Sequence, residues 1–122
     1  SNVWNNDAKG WCACYWGGRP AETMMFSAAY VAESKWNDTM WKTTDSAVKF
    51  NQLVKDARKE LDESKKRDIL YECQRLIYDD GGLLCPLFNS YVSANSKKIA
   101  HGKIAANWDS DGAKCVERWW FA

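Results

Sequence analysis

Charge of one sign is the first thing this sequence lacks. Its 122 residues carry 17 basic and 16 acidic side chains, a formal net charge of +1. That balance gives no electrostatic footprint for nucleic acid or for an anionic membrane surface. Histidine is almost missing: His101 stands alone in the polar stretch SKKIAHGK. With no CxxC either, the pattern argues against a zinc site, and no metal or cofactor is expected. No apolar run approaches the length of a membrane span, and no signal peptide opens the chain. The signatures of catalysis are also missing. No serine lies in a GxSxG elbow, and no cysteine has a histidine partner nearby in sequence. The glycines of WGGRP lack the spacing of a phosphate or dinucleotide loop. Asp79 and Asp80 are adjacent, which on a helix points them about 100° apart. The chain reads as a non-enzyme.

What is abundant is tryptophan, eight residues, and cysteine, five. Trp is costly to leave wet and also walls many ligand pockets. Core packing is expected to take about two thirds of them, the rest being candidates for a ligand surface. Five Cys is an odd number, so at least one stays unpaired within the chain. Cys73 and Cys85 fall in apolar segments and read as small buried hydrophobes. Cys12, Cys14 and Cys115 lie outside the helices and are the better disulfide candidates. The length suits one domain, residues 1–122, with a modest core.

Periodicity makes Asp45 to Phe88 the centre of the chain. Ala47, Phe50, Leu53, Val54, Ala57 and Leu61 recur at three- and four-residue steps, as do Ile69, Leu70, Cys73, Leu76 and Ile77. This predicts two antiparallel helices, near 46–61 and 63–80, joined by a tight turn. Asp45 is expected to cap the first, Asp62 or Ser64 the second, and Gly81-Gly82 to end it. Leu83 to Phe88 is predicted to be a strand forming a third layer, edged or bulged at Pro86. Residues 1–10 read as a loose lead-in, and Trp11 to Trp16 as a strand. Pro20 opens a helix near 20–32, with Met24, Met25, Ala28 and Ala29 on its apolar side. Residues 33–44 read as a loop carrying Trp36 and Trp41. Tyr91 to Asn95 is a further strand candidate, with weaker signals near Ile99 and Ile104. Cys115 to Phe121 is a docked aromatic tail. The fold class is α+β with few strands.

Arg19 has the most suggestive setting of the charged residues. It follows a Trp-Gly-Gly turn beside aromatics, and its planar fork suits a carboxylate. Pairing with Glu22 or Asp38 to hold the turn is the competing account.

The segment FNQLVKDARKELDESKKRDILYECQRLIYDDGGLLCPLF, Phe50 to Phe88, resembles the late part of family 5 extracellular solute-binding proteins. Leu53, Ala57, Asp62, Arg67, Tyr71, Gln74, Asp79 and Pro86 stand in the order of the family's Leu, Ala, Asp, Arg, Tyr, Gln, Asp, Pro progression. YWGGRPAETMMFSAAY resembles the strand, turn and helix before that hairpin, and WNDTMW the loop between. The resemblance covers roughly residues 10 to 122. It implies the C-terminal fragment of a longer, two-lobed periplasmic or extracellular receptor that binds a peptide or related small ligand and serves the membrane permease of an ABC transporter. A strand end followed by a flexible Gly-Gly turn predicts such a receptor's ligand contacts at Tyr15, Trp16, Gly17, Gly18 and Arg19, with Trp36 and Asn37 next. The family often places an acid in the turn region to hold a peptide's amino terminus; Cys14 to Arg19 contains none. In an exported chain Cys115 is expected to pair with Cys12 or Cys14. Self-association through exposed apolar surface is expected of a fragment. The Trp content also fits a self-contained aromatic-rich module, for example for carbohydrate.

Overall fold

The computed structural model describes residues 12–106 and 108–122. The lead-in and Trp11, the first residue of the expected 11–16 strand, lie outside them. The chain divides into two compact units. Of the described residues, the first holds 12–15 together with Ala21–Cys85; the second holds Trp16–Pro20 and Pro86–Ala122.

Three helices build the first unit: α1 (Glu22–Ala29), α2 (Asp45–Lys59) and α3 (Glu63–Asp80). Thr44, rather than Asp45, caps α2. Its hydroxyl accepts the Ala47 N–H at 3.2 Å, which leaves Asp45 in the first turn, where a negative charge favours the helix dipole. Asp62 caps α3, accepting from the N–H groups of Ser64 and Lys65 at 2.9 and 3.0 Å. The left-handed residue that ends α3 is Gly82, at φ 67°. The α2 and α3 stripes meet in a core of Ala47, Phe50, Val54, Ala57, Leu70, Cys73, Leu76 and Ile77. Leu61 falls beyond the end of α2 and is exposed.

The third layer differs from expectation. It is supplied by α1 and Trp41, not by Leu83 to Phe88. Phe26 packs edge-on to Phe50 with ring centroids 5.7 Å apart, and Trp41 lies 5.2 Å from the same ring. Phe26 and Ala29 are the buried residues of α1, and Met24 is exposed, so the helix is turned from its expected apolar side. α1 also stops early. The side-chain amide of Asn37 donates to the carbonyls of Tyr30 and Val31 at 3.2 and 3.3 Å, taking acceptors that a continuing helix would need. From 82 to 96 the chain runs without turn, bend or regular element, and Leu83, Leu84, Leu87, Phe88 and Val92 are exposed. Cys85 is exposed with them, contrary to its expected burial. Residues 12–16 and 91–95 form no strand.

The second unit has the described residues' one sheet, antiparallel β1 (Ile99–His101) and β2 (Trp119–Phe121), paired Ile99↔Phe121, Ala100↔Trp120 and His101↔Trp119. The aromatic tail is thus docked as a strand. Before it come two short helical turns, α4 (Asp109–Ala113) and α5 (Cys115–Arg118). Ser110, Asp111, Gly112 and Ala113 are all left-handed, at φ 53°, 61°, 72° and 62°. Asp111 is buried there. Its carboxylate accepts from Ala105 N–H at 2.6 Å and the Trp119 indole at 3.0 Å, and pairs with Arg118 at 3.0 Å. Those partners offset a backbone that costs about 1–2 kcal/mol per L-residue. At a coarse level the architecture is α+β. Among the described residues no helix is long and apolar enough to cross a membrane.

Candidate functional site

The WGGR turn is local in sequence but assembled from far along the chain. Arg19 lies over two indoles, 5.8 Å from the ring centroid of Trp16 and 5.0 Å from that of Trp108. Guanidinium over an indole face is a favourable electrostatic arrangement. Its Nη1 donates to the carbonyls of Gly17 at 2.8 Å and Gly18 at 3.3 Å. Arg19 therefore holds the turn, as the competing account supposed, but through carbonyls and rings rather than Glu22 or Asp38. The Gly18 N–H donates to the Tyr91 hydroxyl at 3.2 Å.

Tyr91 and Trp108 also line an open cleft of about 520 Å³, bounded by residues 89–93, 104–106 and 108–111. Trp16, Gly17, Gly18 and Arg19 so adjoin a concave surface of their own unit. Residues 89–93, which form part of its lining, make no backbone-to-backbone hydrogen bond among the described residues. The structure does not place Tyr15, Trp36 or Asn37 in that unit. Tyr15 and Trp36 are exposed in the first unit, while Asn37 is 1 % exposed and spends its amide on the carbonyls of Tyr30, Val31 and Trp41. Asn37 is a structural residue, reached by Thr39 from its other side at 2.8 Å. Sequence reading missed Tyr91, Trp108 and Asp111. A lone Trp in the polar stretch AANWDSDG was the available signal.

A second cluster lies in the first unit. The thiols of Cys12 and Cys14 and a carboxylate oxygen of Asp38 all lie within 4.8 Å of one another. The Cys14 thiol donates to Asp38 Oδ2 at 3.7 Å. Burial, then the neighbouring Asp38 and Cys12, push the Cys14 thiol up from its usual range. Nearby, Tyr30 is pushed up to about 12, first by burial and then by the negative potential of Cys85, Cys14 and Asp38. No disulfide is present among the described residues, and Cys115 belongs to the other unit. The expected bond from Cys115 to Cys12 or Cys14 is not formed.

A third polar group is structural. Asp80, at the end of α3, accepts from the Trp41 indole at 2.9 Å, from Thr44 at 3.0 Å and from Ser46. These hydrogen bonds, Ser46 first, hold its carboxyl below the usual range and tie the start of α2 to the end of α3.

No protein-family model matches the chain, and no curated protein or solved structure matches it.

Proposed function

We propose that this chain binds a peptide or related small ligand without catalysing a reaction, as the C-terminal part of an exported two-lobed solute-binding protein serving an ABC-transporter permease. The observation that carries the ligand reading is the cleft lined in part by residues 89–93. Among the described residues their backbone donors and acceptors make no backbone-to-backbone hydrogen bond, and an added peptide strand satisfies such groups. Trp108 and Tyr91 supply aromatic lining, and the Arg19 turn fixes the positions of both. The order of residues from Leu53 to Pro86 supports the family reading. Two-lobed receptors complete their site by closing both lobes on the ligand, so one part binds weakly.

The test is an amide NMR titration of the chain with a mixture of short peptides, their N-methylated counterparts and oligosaccharides. Shifts confined to residues 89–93 and 104–111, at millimolar peptide and abolished by N-methylation, are the expected result. No shift with any peptide, or shifts with oligosaccharide alone, would overturn it; the latter would favour a carbohydrate-binding module. Trp108→Ala should remove the response with the melting temperature held within a few degrees.

A further inference from the structure

We infer that Cys12, Cys14 and Asp38 form a binding site for a thiophilic divalent cation, with zinc the best fit. The geometry is close to what the ion requires. Tetrahedral zinc with Zn–S about 2.3 Å and Zn–O about 2.1 Å sets its ligands about 3.8 Å apart for two sulfurs and about 3.6 Å for sulfur and oxygen. Cys14 Sγ and Asp38 Oδ2 are already 3.7 Å apart, and no pair in the set exceeds 4.8 Å. Small rotations of two exposed cysteines close the rest of the gap.

The donor chemistry agrees. Two thiolates and a carboxylate suit zinc over calcium or magnesium, which take oxygen ligands. Asp38 Oδ1 adds an independent observation: it is buried and has no hydrogen-bond partner among the described residues. An orphaned carboxylate oxygen is costly in the protein alone, and a cation at its other oxygen offsets that cost. Three potential anions converge here, and a divalent ion relieves their repulsion by displacing protons from the thiols.

The neighbouring loop reinforces the site. Gly82 packs against Thr39, so α3 ends beside the residue that follows Asp38. The fourth coordination position falls to water. Cysteines 12 and 14, one residue apart, have side chains that reach the same carboxylate, and the ion would tie the segment before Tyr15 onto the loop around Asn37. The inference stands apart from the ligand-binding reading, since it uses none of the cleft residues.

The experiment is a cobalt(II) titration of the chain under a phosphine reductant, followed by zinc competition. The expected result is uptake of one equivalent with a thiolate-to-cobalt charge-transfer band, displaced by zinc. Band intensity corresponding to two thiolates is expected; intensity corresponding to three would overturn this ligand set. Cys12→Ser, Cys14→Ser and Asp38→Asn should each lower affinity at least tenfold, while Cys115→Ser leaves it unchanged. Both cysteines are exposed, so their variants should keep the helical circular dichroism and remain interpretable. Absence of stoichiometric uptake, or a band that survives in the Cys12→Ser/Cys14→Ser double variant, would overturn the site.

Discussion

The two units hold themselves together by different physics. In the first, apolar stripes from three helices bury Phe26, Phe50, Val54, Cys73 and Leu76 around one another, and polar groups work mainly at helix ends. In the second, Asp111 is the one buried residue among those described, and its carboxylate gathers Ala105, Trp119 and Arg118 around a left-handed turn. The first unit is stabilised by area removed from water, which tolerates approximate placement. The second relies on a few directional contacts to one charge, and these fail together when the charge is lost. The cleft and the Arg19 turn lie in the second kind of structure, where residues 89–93 make no backbone-to-backbone hydrogen bond among the described residues.

The largest effect should come from the first unit. Phe50 is fully buried between Phe26 and Trp41. Phe50→Ala is expected to cost about 3–5 kcal/mol in urea unfolding followed by helical circular dichroism. A loss below about 1 kcal/mol would show that the three-helix core is not what holds this unit.

Next is the acid sensitivity of the second unit. The Asp111 carboxyl sits below the usual range, chiefly because it accepts the Ala105 N–H, with Trp119 and Arg118 adding to this. A depressed folded value means that its stabilisation is complete above the unfolded value, about 4, and is lost as pH falls through the folded value. Amide exchange at Ala105 and the Trp119 indole signal should therefore lose protection as pH drops below about 4. Asp111→Asn should reproduce that loss at neutral pH. Protection unchanged in both experiments would remove the distinction between the units.

A smaller effect is expected at Gly82. Its φ of 67° suits glycine, while an added Cβ would sit 3.5 Å from Thr39, an ordinary contact. Gly82→Ala should cost about 1–2 kcal/mol, from backbone strain rather than collision. Smallest is Thr44→Ala, which removes the α2 cap and one hydrogen bond to Asp80. The expected cost is about 1 kcal/mol in the same urea assay. A cost as large as that of Phe50→Ala would mean that caps, not the apolar stripes, dominate this unit.

The sequence by itself determined α2 and α3, their facing stripes and the glycine stop, and narrowed the α3 cap to Asp62 or Ser64. Those features depend on residues three or four apart, and the helix repeat reads such spacing directly. It could not determine which aromatics are buried. Of the six described tryptophans only Trp41 is buried, because the indole of Trp41 finds both Phe50 and the Asp80 carboxylate. Nor could it place Leu83 to Phe88. An apolar run satisfies strand propensity, but a strand also needs a sheet to join, and the described residues' sheet is built from β1 and β2 alone. The tertiary structure alone brought Tyr91 to Gly18, across 73 residues, and Asp38 to Cys14, across 24. Local periodicity carries no record of such meetings, because they depend on how finished elements pack rather than on the spacing within any one of them.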